Sequence, residues 1–106
     1  MTPSLNGIFQ GVVRSIQPYG CFVRIPGYQR DGLVHISDLL PKGLARVDRV
    51  EDVVSENQHV WVKVVHVFHD VNKPQQMKIK LSMGVVNQET GEDLDPEHLQ
   101  SGGSGF

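Results

Sequence analysis

Cysteines and long hydrophobic runs are what this 106-residue sequence most clearly lacks. No apolar run approaches the ~20 residues that a membrane-spanning helix needs, so the sequence does not predict a membrane protein. Its single cysteine, Cys21, excludes an internal disulfide and a cysteine-based zinc site. Residues 1–6, which we expect to be disordered, carry neither the basic flank nor the apolar block of a secretion signal.

Residue patterns typical of enzymes and metal sites are also missing. No glycine-rich phosphate-binding loop is present. His35, Ser37 and Asp38 lie too close along the chain to act as base, nucleophile and orienting acid. His66 and His69 would face opposite sides of a strand, which is poor geometry for shared metal ligation. The sequence therefore predicts no enzyme activity, no cofactor and no metal site.

The charge is small overall but unevenly distributed. The net charge of −2 does not favour a nucleic-acid binder. However, residues 1–86 hold all ten Lys and Arg side chains and seven acidic ones, a net charge of +3, whereas residues 87–106 hold five acids, a net charge of −5. A mildly basic body suits moderate contact with a phosphate backbone rather than tight non-specific binding.

Five stretches have the composition of β-strands, being β-branched or alternately apolar and polar: residues 7–17, 19–25, 33–36, 60–68 and 78–83. The alternation slips between Val13 and Ile16, which predicts a bulge. Gly11 predicts a sharp bend or a close backbone approach. A polar loop is expected between the last two strands, over residues 70–76.

Two short helical segments are expected between the third and fourth strands. Residues 37–43 begin with cap-type side chains and end at Pro and Gly, and residues 47–57 have valines near helical spacing. Five strands with this interruption predict an all-β fold, a five-stranded barrel of the oligonucleotide-binding (OB) type. The acidic, turn-rich residues 87–106 predict a flexible extension, and residues 101–106 resemble a linker or a non-native remnant.

The second predicted strand has an unusual outer face. Alternation sends Cys21, Val23 and Ile25 inward, and it sends Phe22 and Arg24 outward. A solvent-facing ring beside a guanidinium has no evident packing role. It does suit single-stranded nucleic acid, because bases stack on aromatic rings while basic groups hold the backbone.

Five short motifs follow one another in a specific order and spacing: Gly11-x-Val13, Tyr19-Gly20-Cys21-Phe22-Val23, Gly32-Leu33-Val34-His35-Ile36-Ser37, Val62-Lys63-Val64 and Lys78-Ile79-Lys80-Leu81-Ser82. Together they resemble the S1 RNA-binding domain, over residues 7–86. The resemblance implies an S1-type OB barrel that binds single-stranded RNA without catalysing a reaction.

The resemblance also implies which residues hold the RNA. Members of the family use two aromatic residues, the histidine that closes the third strand and basic residues on the last strand, which here are Tyr19, Phe22, His35 and Lys78, with Lys80 nearby. Arg24 joins them because it shares the outer face with Phe22. Many members end strand four with an Asp; here Phe68 occupies that position, and Asp70 follows it, so no acidic contact to a base or ribose is implied.

Residues 82–96 resemble a narrower group within the family. They are similar to the S1 domains of DEAH-box splicing helicases and of nucleolar zinc-knuckle (CCHC) proteins of the large ribosomal subunit, and residues 8–11 and 60–63 favour the second group. This implies a piece of a longer nuclear or nucleolar protein that acts in mRNA splicing or ribosome biogenesis. We expect a monomer, with ribosomal or spliceosomal proteins as further partners.

Several residues have structural interpretations beside the functional ones. Tyr19 and Phe22 are either stacking residues or a partly buried barrel rim. His35 either offers its ring to a base or hydrogen-bonds the helical turn after it. Trp61 is expected to cover an apolar gap beneath residues 47–57, and Lys63, like the other basic residues, is expected to be a solvated surface charge.

The main alternative function is a protein-interaction module. In that hypothesis the acidic residues 87–106 dock onto a basic partner in a ribosomal or spliceosomal particle, and the charge split along the chain is its motivation.

Overall fold

Five strands form a closed barrel in the order β1-β2-β3-β5-β4. The computed structural model describes residues 5–28, 30–41, 46–70 and 72–97, with backbone alone for residues 69, 70 and 73–77. The strands are β1 (Ile8–Gln17), β2 (Gly20–Arg24), β3 (Asp31–His35), β4 (His59–Asp70) and β5 (Lys73–Ser82). Short 3-10 turns at Ile36–Asp38 and Val50–Asp52 separate β3 from β4. The predicted all-β, five-stranded barrel is confirmed. None of the helical segments in these ranges is long and apolar enough to cross a membrane.

Strand register explains two irregularities seen in the sequence. All neighbouring strands are antiparallel except β3 and β5, which are parallel. The β1–β2 register shifts between Val13 and Ser15, which confirms the predicted bulge. A Cβ at Gly11 would lie 2.5 Å from a Val23 methyl carbon and 2.9 Å from the Arg24 backbone oxygen. The expected close approach at Gly11 is therefore also confirmed.

The loop predicted over residues 70–76 is wrong. Strand β4 continues to Asp70, β5 begins at Lys73, and these two residues pair with each other. Backbone amides and carbonyls pair across a hairpin beneath polar as well as apolar side chains, so a polar composition did not prevent strand formation.

The barrel interior is built from alternate residues of every strand. Cys21 and Val23 are fully buried and Ile25 is 2% exposed, which confirms the predicted inward face of β2. Val62 and Leu81 are fully buried on the strands that complete the closure. Burial raises the pKa of the Cys21 thiol to about 11, so at neutral pH it is a small, protonated core residue rather than a reactive one.

Residues 83–97 lie against the outer side of β4 and change the interpretation of Lys63. The Lys63 side chain is 0% exposed, its Nζ lies 3.1 Å from Asp93 Oδ2, and it donates a 2.8 Å hydrogen bond to the Asp95 backbone oxygen. The prediction of a solvated Lys63 is wrong because a segment distant in sequence covers it. An ammonium taken out of water needs such partners to remain charged.

The same segment seals the exposed backbone of β4 at Trp61. The Gln88 amide accepts a 2.9 Å hydrogen bond from the Trp61 N–H and donates a 2.8 Å one to the Trp61 carbonyl, as a neighbouring strand would. Gly91 has φ of 76°, and a Cβ there would lie 2.9 Å from the indole ring. Trp61 thus has the expected structural role, but it packs beneath residues 87–97 rather than 47–57.

The extension from residue 87 was expected to be flexible. Its described part, residues 87–97, is held against the barrel through the contacts of Lys63 and Trp61. Parts of three predictions lie outside the described residues. They are residues 98–106 of the extension, residues 1–4 of the N-terminus, and residues 42–45, which include the end of the first predicted helical segment.

Candidate functional site

A cleft of about 610 Å³ opens on the outer face of β2, β3, β4 and β5. Five of the six predicted site residues line it: Tyr19, Phe22, His35, Lys78 and Lys80. Among the described residues, five others also line it: Asp31, Leu33, Ser37, Phe68 and Ile79. The strands therefore bring together residues that are up to 61 positions apart in the chain.

Strand register places these side chains in two rows across the sheet. In one row Phe22 pairs with Leu33, and Leu33 pairs with Lys80. Lys78 and Phe68 belong to the second row, where they are direct cross-strand partners. Because side chains two residues apart share a face, Lys78 and Lys80 point to the same side of β5, while Ile79 between them is 4% exposed.

The Tyr19 and Phe22 rings form one wall of the cleft. Their centroids are 6.3 Å apart with an interplanar angle of 85°, an edge-to-face contact. Tyr19 is 47% exposed and Phe22 is half-buried. Among the described residues, the partly buried apolar side chains that pack on the core do not include Phe22. Both rings are therefore accessible to a ligand in the cleft.

The three predicted cations differ in their surroundings. Lys78 is exposed, and the structure records no ion pair between it and another described residue. Lys80 is 24% exposed, with its Nζ 3.8 Å from Asp38 Oδ2. Arg24 does not line the cleft; its guanidinium binds the carboxylate of Asp31, its cross-strand partner. The charge of Arg24 is thus balanced locally, which makes Lys78 the most available cation.

His35 has the structural role that the sequence offered, and its predicted contact with RNA stays a prediction. Its Nδ1 accepts a 3.2 Å hydrogen bond from the Ser37 backbone N–H and lies 2.9 Å from the Ser37 hydroxyl, so it caps the turn that follows β3. Since Nδ1 is an acceptor, the neutral ring carries its proton on Nε2. The ring also lines the cleft, where that N–H can donate to a ligand.

Sequence reasoning missed Phe68 as a cleft residue. Its ring centroid is 4.2 Å from that of His66, two residues earlier on β4, with an interplanar angle of 46°. The sequence did indicate that His66 and Phe68 share one face of β4, because they are two residues apart, and that Lys78 and Lys80 share one face of β5 for the same reason. The structure shows that these two faces are on the same side of the sheet. Which positions of β4 and β5 face each other could not be read from the sequence.

Comparisons with known proteins identify the family of this chain. The family model of the S1 RNA binding domain matches residues 2–77. The pre-mRNA-splicing factor ATP-dependent RNA helicase prp22 of Schizosaccharomyces pombe is 42% identical over 99 residues, which are 92% of this chain and 8% of the helicase. A polyribonucleotide nucleotidyltransferase of Zymomonas mobilis is 43% identical over 93 residues, 88% of this chain and 11% of the enzyme. The chain thus spans about a tenth of the length of these relatives.

Solved structures give the same assignment. A chain in the crystal structure of the a/eIF2alpha-aDim2p-rRNA complex from Pyrococcus horikoshii superposes with a TM-score of 0.65 and 26% identity, covering 94% of this chain and 53% of that one. The intact alpha subunit of aIF2 from Pyrococcus abyssi gives 0.67 and 26%, covering 85% and 32%. With a family model that matches more than half of its residues and the same closed barrel, this chain belongs to the S1 RNA-binding domain family.

Proposed function

We propose that this domain is a non-catalytic module that binds single-stranded RNA in the cleft between the Tyr19–Phe22 wall and strand β5. The observation that carries the proposal is that two accessible rings and two lysines line one cavity. Rings and cations in one groove are the combination that single-stranded nucleic acid requires, since bases need stacking surfaces and phosphates need positive charge.

Each group has a distinct task in this mechanism. Tyr19 and Phe22 stack bases, and Lys78 and Lys80 contact phosphates. The His35 Nε2–H and the nearby Ser37 hydroxyl offer hydrogen bonds to a base edge or to a ribose 2′-hydroxyl, the group that distinguishes RNA from DNA. Among the described residues of the lining, Asp31 supplies the carboxylate, with its charge moderated by Arg24.

Replacing Lys78 by Ala tests the electrostatic part. Loss of one phosphate contact should weaken binding of a labelled oligouridine at low salt and reduce the slope of log K against log salt by about 0.7. Fluorescence anisotropy at several salt concentrations measures both quantities. Arg46→Ala is the matched control because Arg46 is 91% exposed and does not line the cleft. Equal losses in the two variants would mean that net charge, and not the cleft, drives binding.

The proposal extends to the parent protein, which we infer to be a nuclear or nucleolar RNA-processing factor. The match to a splicing helicase of a eukaryote supports this. The matches to bacterial polyribonucleotide nucleotidyltransferases support RNA binding equally well without a nucleus. Imaging the tagged parent protein in its own cells tests the location, and exclusion from the nucleus would contradict it.

A further inference from the structure

The second wall of the cleft also carries aromatic rings. Phe68 lines the cavity from β4, and the His66 ring contacts it on the same face. Phe68 is half-buried. In the described part of the chain, neither the buried core nor the side chains packed against it include Phe68. A phenylalanine in this position has more surface available to a ligand than a core role would leave it.

Rings and lysines alternate on the outer face of the β4–β5 hairpin. His66 is the cross-strand partner of Lys80, and Phe68 is the partner of Lys78. Directly opposed side chains have Cβ atoms about 4.5–5.5 Å apart. Each of the two lysines therefore lies next to an aromatic ring on the neighbouring strand. This arrangement provides a stacking surface and a phosphate contact for successive nucleotides.

The distance between the two walls fits a short stretch of single strand. Phe22 on β2 and Phe68 on β4 are separated by β3 and β5, which makes three strand spacings. At about 4.8 Å per spacing this is about 14 Å across the strands, and the offset of two residues between the rows of Phe22 and Phe68 adds about 7 Å along them, which gives about 16 Å in all. Stacked nucleotides rise about 3.4 Å each, so about four or five of them would cover that path.

We propose that Phe68, supported by His66, is a second base-stacking position, and that a bound RNA strand crosses β3 and β5 from the Tyr19–Phe22 wall to Phe68. The lysines of β5 lie beneath the part of this path nearest to Phe68, where they meet the phosphates that precede the second stacked base. This inference rests on the proposed function and adds the path of the RNA over the sheet and a minimum length of about four nucleotides.

The test is the affinity of oligouridines of two to eight nucleotides for Phe68→Leu, which keeps an apolar side chain but removes the ring. We expect binding of the hexamer to weaken by about 5- to 100-fold, and the salt slope to stay unchanged because no phosphate contact is lost. In the wild-type domain affinity should rise steeply up to about four nucleotides; in Phe68→Leu that rise should be lost. Phe68→Tyr should restore hexamer binding.

Two controls separate this inference from the function on which it rests. Tyr28→Leu removes a ring that contacts Phe9 and does not line the cleft, so it should leave RNA binding unchanged. Phe22→Leu is measured in parallel. Weaker binding in Phe22→Leu with normal binding in Phe68→Leu would overturn the second stacking position alone. Normal binding in both folded variants would overturn the proposed function as well, and failure of Phe68→Tyr to rescue would overturn stacking at this position.

Discussion

Asp93→Ala should lower the free energy of unfolding by about 3 kcal/mol, a large share of the stability of a small domain. The substitution removes the Asp93 carboxylate from beside the Lys63 ammonium, which is 0% exposed. Removing one partner of a buried ion pair costs about 3–5 kcal/mol. We expect the lower end because Asp93 is 24% exposed and the Asp95 backbone oxygen still accepts from Lys63. Urea denaturation followed by circular dichroism measures the effect.

Glu92→Ala is the matched control for this prediction. Glu92 is the exposed neighbour of Asp93, so its loss should change stability by no more than about 0.5 kcal/mol. Replacing both partners, as in Lys63→Met with Asp93→Leu, should recover part of the lost stability because the buried ammonium is removed together with the Asp93 carboxylate, although the buried Asp95 loses the hydrogen bonds it makes to both. Equal midpoints for Asp93→Ala and Glu92→Ala would contradict the buried ion pair.

The ion pair also affects how the alternative function can be tested. Deleting residues 87–106 would remove Asp93 and the Asp95 carbonyl together, so a loss of partner binding could reflect unfolding. Reversing the charge of Glu89 and Glu92, both exposed, keeps the segment on the barrel. Unchanged binding to a basic partner in that variant would contradict docking through the acidic segment.

Tyr19→Ala and Phe22→Ala should each weaken RNA binding by about 1–3 kcal/mol, or roughly 5- to 150-fold. Each removes one stacking surface from the same wall of the cleft. The double variant should lose less than the sum of the two, since each ring also orients the other by edge-to-face contact. Anisotropy titrations of a labelled hexauridine give the affinities, and thermal unfolding monitors the fold.

Phe22 is half-buried, so its truncation also affects packing. Phe22→Leu separates the two effects because it keeps apolar volume and removes the aromatic face. The stacking interpretation requires that Phe22→Leu binds RNA poorly while it unfolds near the wild-type temperature. Wild-type affinity in Tyr19→Ala and Phe22→Leu would rule it out.

Much of the barrel was predictable because its signals are local. The inward face of Cys21, Val23 and Ile25 follows from alternation alone, and so does the division of β5 into buried Ile79 and outward Lys78. The bulge near Val13 was visible as a slip in the same pattern. These features depend on strand geometry, which acts over a few residues.

The parts that were missed depend on contacts between distant segments. The sequence alone predicts a surface charge at Lys63, but residues 83–97 cover this side chain in the structure. The acidic composition of residues 83–97 does not predict where that segment lies on the barrel. The ion pair of Arg24 with Asp31 depends on the β2–β3 register, which the sequence does not reveal, and the predicted RNA contact of Arg24 stays a prediction. In the sequence, Phe68 is noticeable only as a departure from the family pattern. Its position beside Lys78 follows from the β4–β5 register, which the sequence does not show.

The central claim is that single-stranded RNA binds in one cleft on the outside of the barrel. An NMR titration of the labelled domain with a short oligouridine tests it most directly. We expect shift changes concentrated at Tyr19, Phe22, His35 and Lys78, with Tyr28 and the segment 87–97 unaffected. Changes spread over residues 87–97, or no changes at the cleft when RNA is in excess, would contradict it.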